Sequence, residues 1–95
     1  MLLSIEHGMK YRSRTELIAV ILSSALGGKG VSLTRIMYSA FLSYGQVKQY
    51  FQLLIEYGLL EHDEENKVYR TTNKGLQYLE LYRQMEELVK NRSSG

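Results

Sequence analysis

The sequence predicts a mainly α-helical domain with one small β-hairpin and a long final helix. Three observations lead there. Ser13–Glu16 and Ser43–Gln46 are Ser-x-x-Glu/Gln strings standing directly before segments with helical apolar spacing. Two short runs suited to strands flank the polar stretch Asp63-Glu64-Glu65-Asn66. Beyond them an apolar stripe, spaced by three and four residues, runs from Tyr78 to Val89.

The first helix starts at the Ser13-Arg14-Thr15-Glu16 capping box and continues through Leu17-Ile18-Ala19-Val20-Ile21-Leu22. That run is apolar nearly all round, so the helix is expected to be buried on more than one side. Gly27-Gly28-Lys29-Gly30 is read as its end, because glycines supply the left-handed conformations of a C-cap. A short second helix is expected from Leu33 or Thr34 to about Ala40, with Ile36 and Met37 inward, and Phe41-Leu42 make a tight connection. The box Ser43-Tyr44-Gly45-Gln46 opens a third helix that reaches about Tyr57, with Gly58 at its C-cap. On a 3.6-residue wheel Val47, Tyr50, Phe51, Leu54 and Ile55 share a core face. Gly45, Gln49, Gln52 and Glu56 lie opposite, with Lys48 on the flank.

Leu59–His62 and Lys67–Arg70 read as strands joined by the acidic turn. Thr71-Thr72 caps the last helix, which extends to about Arg92. Its stripe consists of Tyr78, Leu81, Tyr82, Met85, Leu88 and Val89; positions 78, 81, 85 and 88 follow a heptad a/d pattern. About 20 helical residues span about 30 Å, the width of a small domain. The far end of the stripe would stand in water unless paired, which predicts a homodimer; the competing reading is a stripe that faces helix 1. The chain divides into a flexible extension (1–9), a domain (10–72), a dimerisation helix (73–92) and a frayed tail (93–95). Two helices joined by a tight turn and followed by a hairpin is the winged helix-turn-helix arrangement.

Composition narrows the function. The 95 residues include no cysteine, which excludes disulfides and thiolate metal sites. His7 and His62 have no ligand-like spacing, so neither a metal nor a cofactor is expected. The longest apolar run, Leu17–Leu22, is far below the roughly 20 residues of a bilayer span, so no membrane partner is expected. The opening residues lack the pattern of a secretory signal, which predicts a cytoplasmic protein. No nucleophile–base set, phosphate-binding glycine loop or HExxH string is present, so no enzyme is expected. Net charge is only +2, yet residues 1–55 hold six basic and two acidic side chains, whereas residues 56–95 hold six basic and eight acidic. A basic front half favours binding through one face.

Thr34-Arg35-Ile36-Met37-Tyr38-Ser39-Ala40, Leu42-Ser43-Tyr44, Tyr50-Phe51-Gln52-Leu53-Leu54 and Tyr57-Gly58-Leu59-Leu60 together resemble a family of small archaeal winged-helix DNA-binding proteins. These are the ten-kilodalton proteins of the 10a type and related predicted transcriptional regulators. Tyr11–Ile18 and Tyr69–Gly75 resemble that family's first helix start and wing exit. The resemblance covers roughly residues 10–90. It implies a double-stranded DNA partner and dimerisation through the last helix, often as an antiparallel coiled coil, and with them a nucleoid-associated location. Two features depart from the pattern: a shorter last helix, and the acidic wing tip Asp63-Glu64-Glu65.

DNA binding needs cations for phosphates and polar side chains for base edges. The third helix opens with Ser43, Tyr44, Gln46, Lys48 and Gln49. Gln pairs bidentately with adenine, and Lys48 reaches guanine or a phosphate. Ser43 has a competing role as helix cap. Arg12, Arg14 and Arg35 are candidate phosphate anchors. Lys67 and Arg70 on the wing either touch DNA or neutralise Asp63–Glu65. The rival function is a winged helix used only for protein–protein contact, favoured by the acidic wing and low net charge.

Overall fold

The computed structural model describes residues 13–94, with side chains described for residues 13–90. Its elements are α1 (Arg14–Ser24), α2 (Leu33–Ala40), α3 (Tyr44–Glu56), β1 (Leu60–Asp63), β2 (Val68–Thr71) and α4 (Asn73–Ser94). This is the predicted order of helix, helix, helix, hairpin and long helix. The expected extension 1–9 lies outside the described residues.

Three serines set the helix starts. The Ser13 Oγ accepts the Glu16 N–H at 3.1 Å, and Ser43 and Gln46 form a reciprocal capping box. The third, Ser32, accepts the Arg35 N–H at 3.3 Å. Ser32 has no Glu or Gln three residues on, which is why the sequence pattern did not single it out. Thr72 caps α4 by accepting the Gly75 N–H at 3.0 Å, while its own hydroxyl donates to the Gly58 carbonyl at 2.6 Å.

The end of α1 differs from the expectation. The helix stops at Ser24, with Ala25 rather than a glycine as C-cap. Thr71 satisfies the orphan carbonyls there: its hydroxyl donates to Leu22 O at 2.6 Å and its N–H to Ala25 O at 3.3 Å. A tertiary partner does what a left-handed glycine does elsewhere. Gly27 and Gly30 instead shape the loop, at φ 145° and 91°, and a Cβ on Gly30 would collide with Val68. The loop then sends Val31 alongside Tyr69, with Val31 N–H to Tyr69 O and Tyr69 N–H to Val31 O both 2.8 Å. The hairpin thus gains a bridge from a single residue of a third segment, which the sequence did not predict.

Both strands start and end one residue later than expected. The Leu59 N–H donates to Leu54 O and its carbonyl accepts from Thr72 N–H, so Leu59 closes α3 instead of joining the ladder. Asp63 pairs with Val68, which moves the four-residue turn one position on, to residues 64–67. The helix α4 runs to Ser94, where the sequence placed its end near Arg92.

Leu17, Ile21, Leu22, Ile36, Val47, Phe51, Leu54 and Leu60 form the buried centre. As expected, α1 is covered on more than one side, by α2, α4 and β2. Ile36 points inward and Met37 packs at the rim. Of the residues assigned to the core face of α3, Ile55 differs: it is 39% exposed, because it lies toward the wing flank. Gly75 lets the first turn of α4 meet the Leu59 carbonyl and the Thr71 methyl group, an approach that any Cβ would block. Among the described residues no helix is long and apolar enough to cross a membrane.

The stripe on α4 divides in two. Tyr78 and Tyr82 are partly buried, and the Tyr78 hydroxyl donates to Thr15 O at 3.0 Å. Leu79, outside the predicted stripe, packs on the core with Tyr78. Leu81, Met85, Leu88 and Val89 are 62, 53, 72 and 64% exposed. The molecule measures 49 × 26 × 20 Å, so its long axis exceeds what the globular body needs.

Candidate nucleic-acid interface

The core spacing of α3 leaves its opposite face bare. Val47, Phe51 and Leu54 pin the helix to the body, and Gly45, Gln49, Gln52 and Glu56 are all exposed. Gly45 has open space around its α-carbon, so nothing among the described residues covers the helix there. Thirteen residues make a rod of about 20 Å.

Neighbouring elements supply the two flanks of this face. On one side Arg14, from the first turn of α1, meets Gln49, Tyr50 and Leu53 around a hollow of about 240 Å³. On the other, a hollow of about 380 Å³ separates Tyr44, Lys48, Gln52 and Ile55 from Leu33 and the wing residue Tyr69. The Lys48 Nζ lies 5.5 Å from the centre of the Tyr44 ring, a cation–π contact that keeps the ammonium close to the helix N-terminus. Tyr69 packs edge-on against Phe51 at 4.6 Å and stacks on His62 at 4.2 Å. Burial raises the Tyr69 phenol above its ordinary value of 10.0, and nearby Tyr44 adds to the shift.

The electrostatics separate two kinds of cation. Among the described residues Arg14, Arg35 and Lys48 make no ion pair. Arg70 does: its Nε lies 3.2 Å from Glu61 and its Nη2 3.5 Å from Asp63. The hydrogen bond to Glu61 is the main reason the Arg70 guanidinium titrates above its ordinary range. Of the two wing cations the sequence offered for this role, it is therefore Arg70, not Lys67, that neutralises Asp63. Lys74 is also engaged, donating to Tyr57 O at 2.7 Å across the end of α3.

The predicted site residues fall into groups. Arg14, Lys48 and Gln49 converge on α3, with Tyr44 beside Lys48. Arg35 is exposed on the first turn of α2, two residues after Leu33, which lines the wing-side hollow. Ser43 and Gln46 are occupied by each other: the Ser43 N–H donates to Gln46 Oε1 at 3.0 Å, and the Gln46 N–H to Ser43 Oγ at 3.3 Å. A bidentate grip on a base needs both ends of a carboxamide, and the oxygen of Gln46 is in use. Arg70 stands apart at the wing, and Arg12 lies outside the described residues. Gln52 was not among the predicted residues. It sits between Lys48 and Gln49 on the bare face, and its spacing of three from Gln49 on the wheel was the available signal.

Such a face can neutralise phosphates with Arg14, Arg35 and Lys48 and present amides from Gln49 and Gln52 to base edges. No curated protein is detectably similar to this chain in sequence. Among solved structures it is similar to Sso10a-2, a DNA-binding protein from Sulfolobus solfataricus, at 23% identity with a TM-score of 0.70, over 87% of each chain. The fold is therefore shared with a small archaeal winged-helix protein, in line with the resemblance read from residues 10–90. Residues 11–90 match the winged helix-turn-helix family along most of the chain, and the chain belongs to that family.

Proposed function

We propose that this protein binds double-stranded DNA as a non-enzymatic regulator or chromatin-type architectural protein, with α3 in the major groove. The observation that carries the reading is the bare face of α3. It holds Gln49 and Gln52, is flanked by the unpaired cations Arg14 and Lys48, and is covered by nothing else among the described residues. The major groove, about 12 Å wide, admits a helix. Arg14 and Lys48 lie on opposite flanks, so they are suited to meet the two phosphate walls while the glutamines face the floor. Arg35 would anchor the strand crossed by α2. That a DNA-binding protein shares this fold supports the reading.

In this reading two copies join through Leu81, Met85, Leu88 and Val89, with Tyr78 and Tyr82 holding the seam to the body. Four exposed apolar side chains on one side of a helix are costly in water, and a partner helix relieves that. Two linked recognition helices then bind with avidity.

A second reading is a module for protein contact. The wing favours it: Asp63, Glu64 and Glu65 crowd the tip, and the charge of Arg70 is balanced at its base. Fluorescence anisotropy with random-sequence and genomic duplexes at two salt concentrations decides between them. The DNA reading expects binding that weakens steeply with salt. Absence of binding at low salt rejects it.

A further inference from the structure

Phe41, a prominent exposed residue just before α3, is left unused by the proposed function. It forms the C-cap of α2 at φ 56° and ψ 50°, in the left-handed region. Glycine or asparagine adopts that conformation far more readily, because a bulky side chain crowds its own carbonyl there. The cap geometry itself is ordinary: Phe41 N–H donates to Tyr38 O at 3.3 Å and Leu42 N–H to Met37 O at 3.1 Å. A glycine would serve the turn with less strain, so the turn does not explain the ring.

Nor does the core. Phe41 is 73% exposed, and among the described residues its ring makes no aromatic or cation contact. A strained backbone and a large apolar ring in water both cost stability. Strain of this sort persists where the site has a use for it.

The surroundings identify the use. Phe41 lies two residues before the Ser43 cap, at the end of α3 that the proposed function places in the groove. Tyr38 and Tyr44, three residues to either side, are 75 and 56% exposed. Arg35 stands six residues before Phe41 and Lys48 seven after, and neither has an ion-pair partner among the described residues. In sequence the ring falls between two such cations, a composition that suits the edge of a duplex, where phosphates lie beside apolar deoxyribose and, in the major groove, thymine methyl groups. An apolar protein partner would leave both cations unanswered.

We infer that Phe41 is an apolar DNA contact, its ring pressed on the deoxyribose and thymine-methyl surface at the lip of the groove that α3 enters. The inference rests on the DNA reading above. It assigns to DNA binding a residue held in a conformation that costs the free protein stability.

Phe41→Gly and Phe41→Trp test it on the full chain. Thermal melting, sedimentation equilibrium and anisotropy with a fluorescent duplex across a salt series are the readouts. Phe41→Gly is expected to melt higher by about 2–6 °C, because strain is relieved. It is expected to bind roughly tenfold more weakly with an unaltered salt slope, because apolar area is removed and no charge is. Phe41→Trp keeps a ring in the same conformation and is expected to bind within about twofold of the wild type. Wild-type affinity in Phe41→Gly overturns the inference. So does a lower melting temperature, which would mean the ring packs within its own chain, or a shifted monomer–dimer equilibrium, which would place it in a self-interface. A wild-type protein that binds no duplex at low salt overturns the DNA reading and this inference together, whereas equal binding by wild type and Phe41→Gly overturns this inference alone.

Discussion

Gln46 and Gln49 are the same side chain three residues apart, and the fold gives them different work. The oxygen of Gln46 closes the capping box with Ser43, whereas the carboxamide of Gln49 lies on the bare face beside Arg14. Gln49→Ala is expected to cost about 1–3 kcal/mol of binding on a preferred site, with the salt slope nearly unchanged. Gln46→Ala is expected to lower stability by about 0.5–1 kcal/mol through the cap, with little change in discrimination between sites. Anisotropy on a panel of duplexes, alongside urea melts, separates the two. Equal affinity of Gln49→Ala and wild type on every duplex would remove base readout by Gln49. The sequence showed both glutamines near the helix start and the Ser-x-x-Gln spacing. It did not show that capping takes Gln46 out of the reading set, because both roles ask for the same side chain. Gln52 was visible on the wheel yet lacked any motif to single it out.

At the scale of elements the wing is held by local polar bonds. Asp63 accepts from the Asn66 amide at 2.8 Å and from the Asn66 backbone N–H at 3.1 Å. These bonds, with Arg70 as a smaller contribution, hold its carboxyl below the ordinary value of 3.8. A carboxyl depressed on folding contributes stability that is fully present above its unfolded pKa and is lost as pH falls through the folded one. The turn is therefore expected to loosen below about pH 4. The Asn66 amide resonance should report this as an acid step, and Asp63→Asn should abolish the step. An unaltered titration in that variant would contradict the assignment. The turn was legible as polar and acidic, but its register was not. Strand ends depend on where Leu59 and Thr71 send their backbone bonds, and those partners are remote in sequence. The same long-range cause hid the α1 terminus: Thr71 caps Leu22 across 49 residues, while four nearby residues, three of them glycine, offered a local explanation.

For the whole molecule the governing features are the bare face of α3 and an apolar stripe that outlasts the body. The alternation of apolar and polar positions made both legible, since burial follows periodicity. What periodicity does not tell is which part of the stripe the body itself covers; the packing of Tyr78 and Tyr82 against α1 answers that. Met85→Glu combined with Leu88→Glu is expected to yield a monomer in sedimentation equilibrium at micromolar concentration, with weaker DNA binding as avidity disappears. A wild type that sediments as a monomer at every accessible concentration would contradict the dimer.

In the proposed complex Arg14, Arg35 and Lys48 neutralise phosphates while α3 occupies the groove. The salt dependence of duplex affinity, compared between wild type and an Arg14→Ala, Arg35→Ala, Lys48→Ala triple variant, tests it most directly. Each phosphate left without its cation lowers the slope of log K against log salt by about 0.9, so three such phosphates predict a fall of about 2.7 for each protomer engaged. Affinity at low salt should drop alike on every sequence, with the thermal melt of the free protein little altered. A triple variant that keeps both the wild-type affinity and the wild-type slope would contradict the claim.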